Sequence, residues 1–361
     1  MDRRQFIKTS GVLGAMATVP SFAHPKPGKV LVLGGTRYFG PVLVEELLRQ
    51  GYDVTLFNRG KTNPHLFPEL TKIRGDRETL DGRGLSALQA SKTEWDWVVD
   101  TWQGSSKCVI DTAHLLVQRT AQYQYVSTVS VYDKWDKIGI TETEPLNPLP
   151  ADVEALITEN RYALRKTFAE QALQEILPKN SAFFRSHGMR GYPTTAPRHE
   201  PYWQVKVMRG GDLVLPSDID YYQITDMVSL ARFMITCGQT QTMGPFNVCY
   251  PPILFRDFIQ NIVEQTNSKV TLHWIPQAFL LANDVKLMRE RPAGRYRFKV
   301  DKAMQSGLTN RSQSVLLADQ LQGYLDRNPK DDFVFGQPNT ATISSQREQE
   351  IIRLWEKQRS S

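Results

Sequence analysis

Apolar residues in the first half of the chain alternate between short unbroken runs and helical stripes. Lys29-Val-Leu-Val-Leu33 is a run that ends in glycines, the pattern of a strand buried on both faces of a parallel sheet. Gly34, Gly35 and Gly40 then open a stretch in which Val42, Leu43, Leu47 and Leu48 recur at helical spacing, with Glu45, Glu46 and Arg49 on the opposite face. A second strand is predicted over Asp53-Val-Thr-Leu-Phe57, ending in Asn58-Arg59-Gly60-Lys61. Strands and helical patterns continue to alternate to about Leu177, which predicts an α/β fold, a Rossmann-like doubly wound parallel sheet. Beyond that point the pattern breaks into shorter pieces, and Arg185–Pro216 is rich in Gly, Pro, His and Arg. Near the end, Ser345-Gln-Arg-Glu348 precedes an apolar-periodic run with Ile351, Ile352, Leu354 and Trp355, predicting a capping-box helix packed on the body.

A length of 361 residues with 40% hydrophobic content allows one large domain or two modest ones. No internal repeat, heptad array or low-complexity tract interrupts it. The formal charge is +6, of which Asp2, Arg3, Arg4 and Lys8 contribute +2. The remainder is modest, and no Lys/Arg run interleaved with aromatics marks a nucleic-acid surface, so no stable nucleic-acid partner is expected. Cys108, Cys237 and Cys249 are too few for a disulfide framework. The histidines show no metal-ligand spacing, so no metal site is expected. His187 and His199 read as hydrogen-bonded structural residues.

Chemistry enters through two motifs. The strand–Gly-Gly-Thr-Arg-Tyr-Phe-Gly–helix arrangement at 34–40 lets backbone N–H groups approach a pyrophosphate at a helix N-terminus. A glycine-rich loop without a ligand is the bland alternative; the flanking strand and helix count against it. The second motif, Tyr162-Ala-Leu-Arg-Lys166, puts a phenol and an ammonium on one helix face. There the cation favours the phenolate and prepares the tyrosine to exchange a proton with an alcohol. Alone, this spacing recurs on ordinary half-buried helices. At the end of the second strand no acidic residue is available for a ribose 2′-OH, while Arg59, Lys61 and Arg37 surround the position. This favours NADP over NAD, unless these cations are only a solvated basic loop.

Together these residues resemble the short-chain dehydrogenase/reductase superfamily, in its extended and atypical NAD-dependent epimerase/dehydratase-like branch, over most of the chain. Residues 30–61 look like the first βαβ unit, and Gly75-Asp76-Arg77 like the stretch whose Asp contacts the adenine. Trp97-Val-Val-Asp-Thr101 resembles the cofactor-lining fourth strand. Tyr125-Val-Ser-Thr-Val-Ser-Val-Tyr132 resembles the fifth, its catalytic hydroxyl mapping onto Thr128, with Ser127 as second choice. The superfamily's central turn glycine is Arg37 here. A sub-branch that includes chloroplast stem-loop-binding proteins shares the Gly-Gly-Thr-Arg-aromatic-aliphatic-Gly form. Arg185-Ser186 stands where many relatives have Arg-Pro. The Pro-rich 144–150 stretch reads as a loop able to cover a substrate.

The resemblance implies catalysis by Thr128, Tyr162 and Lys166. Gly34, Gly35, Thr36, Arg37, Tyr38, Phe39, Gly40, Asn58, Arg59, Asp76, Arg77, Thr101, Tyr162 and Lys166 would hold the cofactor. Substrate would meet Arg185, Arg198, Tyr202 and Trp203 in a smaller C-terminal substrate lobe, although salt bridges and core packing would equally explain those four. The expected division is a nucleotide-binding domain at 28–180, a lobe at 181–330 with a return segment near 223–250, and a C-terminal extension at 331–361. The superfamily often dimerises through helices flanking the active site, so a homodimer is an expectation.

Asp2-Arg-Arg-Gln-Phe-Ile-Lys8, the apolar 11–19 region and Ser21-Phe-Ala23 resemble a twin-arginine signal occupying residues 1–23, too short to span a membrane. It implies the twin-arginine translocase as a transient partner and a periplasmic destination. Outside the cytoplasm no soluble NADPH pool would replace a spent cofactor. The expectation is therefore a redox-neutral epimerase or isomerase of a sugar or sugar derivative, working through a transient keto intermediate. The alternatives are an NADP-dependent reductase and a non-catalytic nucleotide- or RNA-binding protein. The intact Tyr-x-x-x-Lys counts against the last.

Overall fold

The computed structural model describes residues 28–79, 83–152, 161–191, 201–288, 292–337 and 340–360. The expected signal segment, Arg198 and His199 lie outside these residues. Seven strands form one sheet: β1 (Lys29–Leu33), β2 (Asp53–Asn58), β3 (Thr71–Arg74), β4 (Trp95–Asp100), β5 (Thr120–Thr128), β6 (Ser181–Ser186) and β8 (Gly244–Val248). Their order is β8-β6-β5-β4-β1-β2-β3, and every pairing is parallel. The chain builds outward from β1 to β3, then crosses back to β4 on the other side of β1. That reversal opens a crevice beyond the carboxyl ends of β1 and β4, the place where ligands bind such sheets.

Alternate residues of each strand feed two cores. Val30, Val32, Leu56 and Val99 pack with α1 (Phe39–Arg49) and α5 (Met227–Thr240) on one face. Leu31, Leu33, Val98 and Tyr123 pack with α2 (Ser106–Leu116) and α3 (Tyr162–Ile176) on the other. Burial on both faces is why β1 is apolar without alternation. Because β6 belongs to this sheet, the sheet unit runs past the expected boundary at residue 180. Residues 223–250 bring α5 and β8 back to it.

The second lobe holds a parallel pair, β7 (Gly211–Pro216) and β9 (Val270–Ile275), with α4 (Tyr202–Arg209), α6 (Phe255–Thr266) and α7 (Gln313–Arg327). Its core also takes Phe335, Ile343, Ile351 and Ile352, so the C-terminal extension is built into the lobe. The final helix, α8 (Ser345–Arg359), is capped by Ser344, whose hydroxyl accepts from the Arg347 amide. The capping residue thus sits one position earlier than the sequence pattern suggests. Glu348 does not close a capping box: its carboxylate accepts from Val214 N at 2.8 Å and pairs with buried Lys206. No helix among the described residues is long and apolar enough to cross a membrane.

Candidate active site at the carboxyl ends of the sheet

The glycine turn leaves β1 with Gly34 at φ 117° and Gly35 at φ 90°, conformations that side chains resist. A Cβ on Gly40 would lie 2.7 Å from the Gly35 backbone, so α1 can start this close to the strand only with glycine there. Asn58 and Asn63 tie the turn down by donating to the carbonyls of Gly34 and Thr36, each at 2.9 Å. Thr101 donates to the Leu33 carbonyl at 2.9 Å and locks β4 to β1. No side chain caps α1; in its first turn Gly40 donates its amide to the Arg37 carbonyl at 2.9 Å and Pro41 has none, which leaves the Phe39 amide to face an anion. Tyr38 precedes the helix at φ 55°, and its hydroxyl donates to the Met189 carbonyl at 3.0 Å, joining the turn to the segment after β6. Phe39 points the other way: its ring is buried in the core, leaving only its backbone for a ligand.

The sequence-predicted cations behave differently from one another. Arg37 is exposed on the turn. Arg59 donates to Glu78 at 2.8 Å and lies 3.9 Å from Asp76. Asp76 remains partly exposed and accepts from the Glu78 amide at 3.2 Å. Arg77 is a correction. Its guanidinium turns into the core and forks onto Asp100 at 2.8 and 2.7 Å, so its side chain is withdrawn from any cofactor. Burial works to raise the Asp100 carboxyl, but Arg77, the Tyr123 hydroxyl and the Trp102 amide outweigh it and hold it below the usual range.

Tyr162 and Lys166 occupy the first turns of α3. Lys166 is 2% exposed, and its ammonium donates to the carbonyls of Trp102 and Val126, each at 2.6 Å. Those carbonyls belong to the chain just beyond β4 and to the end of β5, so the lysine stitches α3 to the crevice. Burial pulls its pKa down to about 7, with Asp100 and Glu170 offsetting part of the effect. Two of its three N–H donors are used, leaving one. Its nitrogen lies 4.2 Å from the Tyr125 ring centre and 6.0 Å from that of Tyr162. Tyr162 is 39% exposed. Thr128 ends β5 with its oxygen accepting from Ser130 N at 3.2 Å. The second-choice hydroxyl, Ser127, is 1% exposed and bonded to Glu170.

Arg185 takes the salt-bridge alternative over the substrate contact. At 3% exposure it forks onto Glu170, with a contact of 2.6 Å, and donates to the Tyr132 hydroxyl at 3.0 Å. A guanidinium spent on a buried carboxylate beneath the site is not a substrate contact. Its partner escaped sequence reasoning, although Glu170 stands four residues after Lys166 on the same helix face. Arg74 was missed as well. It ends β3 directly before the Gly75-Asp76 stretch and is the register partner of Asn58.

Tyr202 and Trp203 are core residues of the second lobe that also line a cavity of about 180 Å³. Tyr296 and Phe335 line it too, together with the polar side chains of Arg190 and Gln320, so its walls combine aromatic faces with hydrogen-bonding groups. Arg190 follows Met189, the acceptor of the Tyr38 hydroxyl, so the cavity lies on the same segment that braces the glycine turn. His187 is buried, with Nδ1 2.6 Å from the Gln223 carbonyl, as expected of a structural residue. No cluster of metal-ligating residues occurs among the described residues.

Residues 1–20 match the family model of the twin-arginine translocation pathway signal sequence. The chain is 27% identical over 145 residues to the chloroplast stem-loop binding protein of 41 kDa b of Arabidopsis thaliana, and the match spans about 37% of that relative's length. Vestitone reductase from alfalfa matches with a TM-score of 0.59 at 16% identity, over 83% of this chain and 99% of that one. UDP-glucose 4-epimerase of Thermotoga maritima, solved with UDP-glucose, gives 0.59 at 14% over 83% and 99%. The enzyme WbmG of Bordetella bronchiseptica, solved with NAD, gives 0.63 at 15% over 87% and 99%.

Proposed function

We propose that this chain, which shares the fold of these reductases and epimerases and carries a twin-arginine signal at its N-terminus, is an NADP-dependent, redox-neutral epimerase or isomerase of a sugar or sugar derivative, working in the periplasm. The observation that carries this reading is that Lys166, one helical turn from Tyr162, is fastened to the ends of β4 and β5 beside the glycine turn. Helix spacing and sheet topology converge there on one crevice.

The turn at Gly34–Gly40 fits a pyrophosphate, since its glycines allow close approach and it leads into the uncapped N-terminus of α1. When bound, the nicotinamide would accept a hydride from the substrate carbon and return it, so no external oxidant is needed. Tyr162 would take the proton of the reacting hydroxyl and give it back. Thr128 would donate to the developing alkoxide. The remaining N–H of Lys166 would hold the nicotinamide ribose. In the cavity that Tyr202 and Trp203 line, aromatic faces would stack on a sugar ring and polar neighbours such as Arg190 and Gln320 would meet its hydroxyls. That a fold-mate was solved with UDP-glucose supports a sugar substrate. Export of a folded protein, away from any soluble NADPH pool, favours a cycle that regenerates its own cofactor.

The test is to purify the native protein from the periplasm, denature it, and identify released nucleotide by mass spectrometry. NADP, in oxidised or reduced form, is expected. Protein without nucleotide that also fails to bind either dinucleotide on titration would exclude this reading.

A further inference from the structure

Parallel pairing of β2 with β3 sets Asn58 opposite Arg74 at the carboxyl edge of the sheet, where the adenosine ribose of a dinucleotide would lie. Asn58 has little capacity left for that ribose. Its Nδ2 donates to the Gly34 carbonyl at 2.9 Å, and its Oδ1 accepts from the Gly60 amide at 3.0 Å and from Arg74. An acid at this position would accept from a 2′-hydroxyl; here the side chain instead fastens the glycine turn and orients a guanidinium. Gly60 makes room for it: a Cβ there would fall 2.7 Å from the Arg74 Nη1.

The neighbouring cations differ in what neutralises them. Arg59 is paired with Glu78 and lies near Asp76. Among the described residues, Arg74 meets only the neutral Asn58 amide, and no carboxylate pairs with Arg37. A dianionic phosphate gains most from a guanidinium that is already oriented and not compensated by a carboxylate.

We infer that Arg74, at the end of β3, is the residue that reads the 2′-phosphate of NADP, assisted by Arg37, while Arg59 is held back by its acidic partners. This rests on the proposed dinucleotide site and assigns its specificity to a residue on the third strand.

Calorimetric titration of the apo-protein with NADP and NAD tests it in wild type, Arg74→Gln and Arg59→Gln. Arg74 is exposed, so its replacement leaves the core intact. The expected result is that Arg74→Gln weakens NADP roughly 10–100-fold, the value of a hydrogen bond to a charged group, and leaves NAD unchanged. Arg59→Gln should weaken NADP less than about threefold. If wild type prefers NADP but Arg74→Gln keeps that preference, or weakens both nucleotides equally, the assignment to Arg74 falls while the NADP site stands. If wild type prefers NAD or binds neither, both fall.

Discussion

The ammonium of Lys166 lies 6.0 Å from the centre of the Tyr162 ring, one helical turn away, with its nitrogen buried and the ring 39% exposed. The two halves of the pair therefore sit in different dielectrics. Water screens their interaction at the ring. Under the proposed mechanism, a ligand that covers Tyr162 would exclude that water and strengthen the action of Lys166 on the phenol.

Burial of Lys166 has a consequence for stability. Its folded pKa falls from the usual lysine value to about 7, so between about pH 7 and the ordinary lysine range the unfolded chain binds a proton that the folded chain does not. This group therefore makes the protein gain stability as pH rises through that window. Lys166→Met removes the term. The variant's stability relative to wild type, measured by urea unfolding, should be greatest near neutrality and decline toward alkaline pH. A difference independent of pH would show that the ammonium is not destabilised by its surroundings.

The Glu170–Arg185 pair is 2% and 4% exposed at its side chains, so removing one partner strands a buried charge. Arg185→Ala should cost about 3–5 kcal/mol of unfolding free energy. Chemical denaturation gives the value directly, and a loss below about 1 kcal/mol would return Arg185 to the list of ligand contacts.

How much of this was legible beforehand depended on the range of the interaction. β1 coincides with the apolar run at 29–33, and the glycine turn and Tyr-x-x-x-Lys pair are local patterns whose spacing alone places their groups. The pairing of Arg77 and Arg185 is not legible locally, because their partners, Asp100 and Glu170, lie 23 and 15 residues away and only the fold brings them together. Arg74 was invisible for a related reason. Its importance comes from strand register against Asn58, which no stretch of sequence shows.

The C-terminal helix should be structural. It contributes Ile351 and Ile352 to the second-lobe core, and Glu348 neutralises buried Lys206. Truncation after Ser344 should lower the melting temperature in scanning calorimetry by several degrees; an unchanged value would contradict the packing described.

Residues 1–20 match a twin-arginine signal, so replacing Arg3 and Arg4 with lysine should leave the protein in the cytoplasm. Fractionation followed by immunoblotting reads the outcome. Wild-type periplasmic levels in the double variant would remove export as a premise of the redox-neutral cycle.

The central claim is that the Tyr162 hydroxyl exchanges a proton with the substrate while hydride moves to and from the nicotinamide. The most direct measurement is the rate at which a sugar substrate reduces bound NADP, followed by nicotinamide absorbance, in wild type and in Tyr162→Phe. The variant keeps the ring, so fold and NADP affinity should persist while the rate falls by a factor on the order of 10²–10⁴. Reduction of the cofactor by Tyr162→Phe at the wild-type rate would contradict the mechanism.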